Sequence, residues 1–276
     1  MKIKIKSFFK IIFLIAIIST IAMYWYDQYV YYFTDDYALD EWDLCSEDSN
    51  VAVINIHGDI YTYLIETEDY EESDSVSSEY IIDVINEIEW DDSIEYVIIE
   101  IDSWGGSPVG SEEIMNAIKR MTKPTIAVIR ESGVSGGYII ASGADKIYAS
   151  EISEVGGIGV TMSYLDYTQM NRIDGVTYQQ LSSGKFKDTG DPDKILTAEE
   201  KVLLMRDVRI MHDAIVKMIA DNRGLDIAEV EKLADGSTMF GLMAKENGLI
   251  DGIGDLYSVE DLIMDELGMD LEMCIY

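Results

Sequence analysis

Apolar residues follow two alternating patterns from Val51 onward. Short continuous apolar runs, typical of buried strands, are separated by stretches in which apolar residues return every three or four positions, as on one face of a helix. Strands that alternate with helices indicate an α/β domain, with a mostly parallel sheet and helices packed on it. The runs predict strands at 51–56, 94–101 and 125–129, and the amphipathic stretches predict helices at 78–90 and 111–121.

The carboxyl-terminal half is predicted to be mainly helical. Thr197 and Asp226 each precede an amphipathic stretch, and each is followed three positions later by a glutamate. In this arrangement the two side chains pair with otherwise unbonded amides of the first helical turn, so each site predicts the start of a helix. The first of these helices is expected to run to about Asn222, and Gly248 and Gly268 stand where helices are expected to end.

The amino terminus has the features of a membrane anchor. Lys2, Lys4, Lys6 and Lys10 precede the apolar run 11–26. The stretch from Phe8 to Tyr26 would be about 28 Å long as a helix, close to the hydrocarbon thickness of a bilayer. Its bulky end, Met23–Tyr26, lacks the small residues of a cleavage site, so an uncleaved anchor is favoured over a cleaved signal peptide. Lysines before the span and acidic residues after it predict that the amino terminus lies on the cytoplasmic side of the membrane and the remaining chain on the outer side. The chain thus divides into a cytoplasmic tip with a transmembrane anchor, a juxtamembrane linker and a folded domain: 1–26, 27–50 and 51–276.

Composition narrows the classes of function. The 276-residue chain is 48% hydrophobic, enough to bury a large core, and its 53 acidic and 20 basic residues give a formal net charge of −33. A phosphate-binding surface needs clustered lysine and arginine, so a nucleic-acid partner is excluded. The two cysteines, Cys45 and Cys274, are too few for a disulfide scaffold and lack metal-ligand spacing. A single bridge between them is left open, without support from any sequence pattern.

One serine has a setting that suits a nucleophile. Ser135 follows the strand predicted at 125–129, opens a predicted helix and precedes Gly136 and Gly137. Free amides and the helix dipole there stabilise negative charge that develops beside the hydroxyl, and the Gly136 amide can donate to an oxyanion. On local evidence alone, an ordinary N-cap serine in a strand-to-helix turn is the competing interpretation.

The two histidines do not fit a serine–histidine triad. The segment 133–137 has the G-x-S-x-G pattern of α/β-hydrolases, which need an acidic residue and then a histidine later in the chain. His57 precedes the serine, at the end of a predicted strand. His212 lies inside a predicted helix at helical spacing with apolar residues, whereas a triad histidine normally sits on a loop.

A lysine is the remaining candidate base. A lysine can act in this way if burial lowers its pKa enough for a neutral amine to accept the serine proton. The loop 181–192, between a strand expected near Thr177 and the helix after Thr197, offers Lys185 and Lys187. For either lysine, taken alone, an exposed charge is the ordinary interpretation.

Five segments resemble, in the same order, those of the signal peptide peptidase A family. They are 102–108, 132–149, 155–160, 183–188 and 234–251, and the resemblance covers roughly residues 50–265. Members of this family are membrane-anchored serine peptidases with a Clp-protease/crotonase-like fold, so the resemblance implies that fold and no metal or organic cofactor. It also implies catalytic roles for particular residues. Ser135 corresponds to the nucleophile, Lys187 to the general base, and Gly106 and Gly136 to the donors of the oxyanion hole. Gly105 replaces Gly106 if the loop register differs by one.

Two positions depart from the family pattern. The family usually has proline where this chain has Trp104, a change that would narrow or reshape the access of substrate. It commonly has serine where Gly157 stands, and that hydroxyl would orient the lysine amine. Water, Ser153 or Thr161 are candidates to replace the lost hydroxyl, which leaves room for reduced or altered activity.

These observations together predict a single-pass membrane-anchored serine endopeptidase with a Ser135/Lys187 dyad. It would act outside the cytoplasmic membrane on remnant signal peptides or other membrane-released hydrophobic peptides. In the single-domain members that the chain resembles, the lysine of one subunit completes the serine site of the next, so a ring-shaped homo-oligomer is expected. Two alternatives remain, a crotonase-type acyl-CoA enzyme and a non-catalytic membrane scaffold of the same fold. The external location disfavours a coenzyme A substrate.

Overall fold

The structure is a computed structural model of the chain, and it describes residues 19–20, 23–24, 26, 45, 49–64 and 75–276. The predicted transmembrane anchor and juxtamembrane linker fall largely outside these residues. Within the described ranges, no helix combines the length and the hydropathy that a membrane crossing requires. The first strand begins at Val51, the residue at which the sequence pattern predicted it.

Strands and helices alternate in the first half of the domain, and helices dominate the second. Up to residue 156 the elements are β1 (Val51–Tyr61), β2 (Ser75–Ser77), α1 (Ser78–Trp90), β3 (Tyr96–Gly106), α2 (Pro108–Ile118), β4 (Thr125–Val134), α3 (Gly136–Ala141), β5 (Lys146–Ala149) and β6 (Glu154–Gly156). From residue 168 they are α4 (Thr168–Ile173), α5 (Ala198–Arg223), α6 (Ile227–Leu233), β7 (Thr238–Phe240), α7 (Gly241–Glu246), β8 (Gly252–Ile253), α8 (Leu256–Leu267) and β9 (Met273–Ile275).

A mostly parallel sheet forms the centre of the domain, as predicted. Its strand order is β2-β1-β3-β4-β5-β8, while β9 pairs with β1 and β6 pairs with β4. Among the described strands, the antiparallel pairing is that of β6 with β7. Parallel strands bring their carboxyl ends to one edge of the sheet, where ligands of open α/β sheets bind. The ends of β3 and β4, at Gly106 and Val134, therefore lie side by side at this edge.

Both faces of the sheet are covered, which explains the continuous apolar runs in the sequence. The larger core joins alternate strand residues such as Val97 and Ile99 to helices α1, α2, α3 and the second half of α5. The smaller core lies on the opposite face, where Ile98 packs with Val259 and Ile263 of α8. Neighbouring residues of β3 lie in different cores, so both faces of the strand carry apolar side chains. The sequence of β3 therefore shows no regular alternation of apolar and polar residues.

Local capping sets most helix boundaries where the sequence predicted them. Thr197 and Glu200 form the predicted capping box, since each side chain accepts a hydrogen bond from the other residue's amide. Gly268 ends α8 in the left-handed region, with φ of 70°. The helix expected from residue 111 begins earlier, at Pro108, because the Ser107 hydroxyl accepts a hydrogen bond from the Gly110 amide and caps it.

A disulfide joins Cys45 to Cys274, with their Cα atoms 4.8 Å apart. Cys274 is fully buried in β9, which pairs in parallel with the start of β1. The bridge that the sequence left without support is therefore present. It ties a residue of the segment before β1 to the last strand of the domain.

Residues 161–199, called the arm below, lie outside both cores. No residue of this described stretch is buried, and helix α4 within it buries none of its side chains. Large apolar side chains are exposed along the arm, including Ile173 at 85% and Leu181 at 98%. The prediction of a strand near Thr177 is wrong, because the arm provides neither a neighbouring strand for it to pair with nor an apolar surface for it to pack on.

Candidate active site

Ser135 lies in a constrained turn between β4 and α3. Its backbone has φ of 53° and ψ of −115°, and it is the one non-glycine residue with positive φ among those that the structure describes. Such a conformation costs about 1–3 kcal/mol and persists where surrounding contacts enforce it. Here the Ser135 amide donates to the Gly156 carbonyl oxygen at 2.7 Å. The Ser135 hydroxyl makes no capping hydrogen bond, so the interpretation as an ordinary N-cap serine is wrong.

Three glycines let the end of β3 pack closely against its neighbours, the serine turn and β1. A Cβ atom on Gly105 would lie 2.6 Å from the Gly136 amide nitrogen, and one on Gly106 would lie 2.2 Å from the Ile60 carbonyl oxygen. A Cβ atom on Gly136 would lie 3.2 Å from the Gly106 amide nitrogen. Side chains at Gly105 and Gly136 would push β3 and the serine turn apart, and one at Gly106 would push β3 away from β1. Their absence lets the Gly106 and Gly136 backbones come together beside Ser135.

The hydrogen bonds favour Gly106 over Gly105 as an oxyanion donor. The Gly105 amide donates to the Ser103 hydroxyl oxygen at 3.0 Å, and that hydroxyl donates to the Gly58 carbonyl oxygen at 2.6 Å. An amide with a buried partner has no proton left for a substrate oxygen. The pair Gly106 and Gly136 stays the predicted oxyanion hole.

Ser135 lines two adjoining cavities. The larger cavity has a volume of about 530 Å³ and the smaller about 170 Å³. Apolar side chains, including Trp104 with 62% of its surface exposed, line the larger one beside backbone atoms of several glycines. The residues shared by both cavities are Ser135, Gly159, Val160 and Thr161.

His212 lies on a helix, as the sequence predicted, and reaches the site, whereas His57 was expected at the end of a strand and lies inside β1. The His57 Nε2 atom lies 3.2 Å from a carboxylate oxygen of Glu100 on the neighbouring strand β3. His212 lies on α5 and lines the larger cavity, with Nε2 3.0 Å from the Ala234 carbonyl oxygen. A carbonyl only accepts, so His212 Nε2 carries the proton and is not a free acceptor. The sequence shows that His212 is on a helix but not which cavity that helix borders.

Within one chain, Lys187 does not belong to the Ser135 cleft. Of the described residues that line the two cavities, none is a lysine. Lys187 is exposed on the arm. The neighbouring Lys185 pairs with Glu199, with a distance of 2.5 Å between the charged atoms. The serine and the glycines are therefore gathered at one site, and the predicted base is not.

Comparison with known proteins identifies the family. A sequence model of peptidase family S49 matches residues 117–270, which is more than half of the chain and includes both Ser135 and Lys187. The chain belongs to peptidase family S49.

Three curated relatives of this S49 chain carry protease names. A Methanocaldococcus jannaschii protein named "Putative protease MJ0651" is 31% identical over 67% of this chain and 62% of its own length. An Enterococcus faecium protein named "Putative signal peptide peptidase SppA" is 36% identical over 62% of this chain and 50% of its own length. "Serine protease SPPA, chloroplastic" of Arabidopsis thaliana is 28% identical over 66% of this chain and 27% of its own length. The chain thus spans less than two thirds of each of these relatives.

The structure shows what the glycine at position 157 changes in this S49 chain. Gly157 has φ of 58°, and a Cβ atom there would lie 2.5 Å from Val134 Cγ1 and 3.4 Å from the Ser135 amide nitrogen. A serine in its place would stand beside Ser135, but only after Val134 moved. Of the candidate substitutes, Ser153 is buried and its hydroxyl donates to the Arg130 carbonyl oxygen. Thr161 is exposed and lines both cavities, so it is the better placed of the two hydroxyls.

Proposed function

We propose that this chain is a serine endopeptidase with Ser135 as nucleophile and Lys187 as general base. The observation that carries the proposal is the setting of Ser135. The Ser135 hydroxyl makes no capping hydrogen bond, and the residue lies in a strained turn between two cavities. Ser135 also packs against the glycines of β3, in a chain of family S49. Strained backbone of this kind clusters at active sites, where it holds a reacting group in position.

The reaction uses each of these parts. The Ser135 oxygen forms a bond to the carbonyl carbon of the peptide while its proton passes to the neutral Lys187 amine. The Gly106 and Gly136 amides stabilise the oxyanion that develops. Collapse breaks the carbon–nitrogen bond, and the lysine ammonium gives its proton to the leaving amine. Water then hydrolyses the acyl-serine ester by the same sequence of proton transfers.

Remnant signal peptides and other membrane-released hydrophobic peptides are the proposed substrates. The larger cavity offers Trp104, Val134 and Val160 as apolar walls beside the serine, together with glycine backbone that an extended peptide can approach. Such a lining suits apolar side chains, because burying them on binding removes apolar surface from water. No metal or organic cofactor is part of the proposed reaction.

The proposed active site is shared between neighbouring subunits of a ring. Support comes from the arm, which carries Lys187 and buries none of its own residues. Its exposed apolar side chains need a partner surface, and a second copy of the chain supplies one. A head-to-tail contact of that kind would bring the lysine of one subunit to Ser135 of the next. The side chains available for this contact include Met162, Leu165, Met170, Ile173, Val176 and Leu181.

The proposed location is the outer side of the cytoplasmic membrane, with the amino-terminal segment as a single-pass anchor. The disulfide between Cys45 and Cys274 supports it, because such bridges persist in oxidising compartments and are rare in the cytosol. Protease added outside intact cells should therefore degrade the domain after residue 50. Protection of the domain until the membrane is permeabilised would reverse the proposed orientation.

A serine-directed fluorophosphonate probe tests the activity. The wild-type chain should be labelled and Ser135→Ala should not, whereas labelling of neither would favour a scaffold or an acyl-CoA enzyme. Mixing Ser135→Ala subunits with Lys187→Ala subunits, under conditions that allow exchange, should restore part of the activity that each lacks alone. Inactivity of demonstrably mixed rings would exclude a dyad shared between subunits.

A further inference from the structure

The loop that carries Lys187 is built from consecutive tight turns within the arm. The Lys187 amide donates to the Gly184 carbonyl oxygen at 3.2 Å, and the Asp191 amide donates to the Asp188 carbonyl oxygen at 3.3 Å. These backbone bonds are local, and no apolar core stabilises the loop. Its position therefore depends on the side chains that link it to the surrounding arm.

Tyr178 makes the link closest to the lysine. Its hydroxyl donates to the carboxylate of Asp188, the residue directly after Lys187, and also lies 3.2 Å from a carboxylate oxygen of Asp191. The hydrogen bond to Asp188 raises the pKa of Tyr178 well above its ordinary value, so the hydroxyl keeps its proton and remains a donor. All three side chains are half-buried, so water competes less for these hydrogen bonds than it would at a fully exposed site.

Other charged groups against this loop have partners besides Tyr178, and Asp191 accepts a hydrogen bond from the Asp193 amide at 2.9 Å. Lys185 pairs with Glu199, and Lys194 pairs with Glu200 at the start of α5, each with 2.5 Å between the charged atoms. Asp188 is thus the carboxylate next to Lys187 whose direction depends on Tyr178. If released, it could turn towards the lysine ammonium, and a nearby negative charge favours the charged form of an amine.

We propose that Tyr178 is a positioning residue for the lysine of the dyad: it holds the Asp188 carboxylate away from Lys187 and fixes the turn that presents the amine. This inference rests on the proposed function, in which the amine must be neutral to accept the serine proton. It assigns to Tyr178 an effect on the pH at which activity appears, in addition to any effect on the shape of the arm.

The test measures the rate of fluorophosphonate labelling against pH for the full-length chain in detergent. Tyr178→Phe removes only the hydroxyl and should move the rise in labelling to higher pH, by about half a unit or more. Tyr178→Phe/Asp188→Asn lacks the charge as well, so its rise in labelling should return to the wild-type pH even if its maximal rate stays low. Tyr164→Phe, an exposed tyrosine of the same arm, is the matched control and should behave as wild type.

The outcomes separate this inference from the proposed function. Absence of serine-specific labelling in the wild-type chain would remove the proposed function itself. Labelling of wild type but not of Ser135→Ala, with an unchanged pH dependence in Tyr178→Phe, would overturn the role of Tyr178 alone. A shift that persists in the double variant would also overturn it, because a purely structural loosening of the arm does not depend on the charge of Asp188.

Discussion

Breaking the disulfide should destabilise the domain strongly. Cys45 and Cys274 are separated by 229 residues, so the bridge closes a loop nearly as long as the folded chain. The chain-entropy relation for a loop of this length gives about 5 kcal/mol at 25 °C, an upper value because denatured chains are more compact than the relation assumes. We expect the free energy of unfolding to fall by about 2–5 kcal/mol in Cys45→Ala, which removes the bridge and leaves the buried Cys274 in place.

The assay is denaturant unfolding with and without reductant, accompanied by a count of free thiols. Reductant should lower the stability of the wild-type chain to that of Cys45→Ala and should leave Cys45→Ala unchanged, which separates loss of the bridge from loss of the side chain. Hydrogen exchange should then rise first in β9, because its pairing with β1 is short. A change below about 1 kcal/mol, with the thiols demonstrably free, would refute the reasoning from loop length.

Three further predictions concern the site and the arm. Lys187→Arg should lower probe labelling by about 10²-fold or more, because guanidinium stays protonated; near-normal labelling would remove the lysine from the mechanism. Gly136→Ala should lower labelling by about 10²-fold, because the new Cβ would lie 2.4 Å from Ser111 Oγ and 3.2 Å from the Gly106 amide nitrogen. Ser111→Ala is the control and should not lower labelling. The hydrogen bond from Lys194 lowers the pKa of Glu200 to about 2. The ionised Glu200 therefore contributes fully to the stability of the folded chain above pH 4.5, and this contribution is lost as pH falls towards 2. Glu200→Gln should therefore make the arm more sensitive to protease at neutral pH, and this difference from wild type should vanish near pH 2.

The serine site could be predicted from the sequence because its parts are local. The strand, the serine and the paired glycines are neighbours along the chain, and the glycines of β3 follow another apolar run. The parallel order of β3 and β4 then brings their carboxyl ends together at one edge of the sheet. What the sequence could not show is the backbone of Ser135, since positive φ at a serine depends on contacts with Gly156 and Gly105.

Features that depend on distant pairing could not be predicted. The disulfide forms because β9 returns to pair with β1, and no local pattern reports that return. His212 was placed on its helix by spacing, yet its access to the cavity depends on how α5 lies against residues 234–238. A strand was expected near Thr177, but a strand needs a neighbour to pair with, which the arm does not provide.

The two halves of the proposed dyad are held by different kinds of structure, and this difference can be measured. Ser135 is fixed by backbone contacts of the core, whereas Lys187 depends on an arm without a core of its own. The atom of a general base that takes the proton must come within about 2.6–3.2 Å of the oxygen that carries it, a precision that an uncovered arm does not maintain. If a neighbouring subunit covers the arm, the labelling rate per chain should fall on dilution as rings dissociate, while the circular dichroism of each domain stays constant. A rate per chain that remains constant at concentrations where sedimentation shows monomers would mean that one chain completes the site by itself.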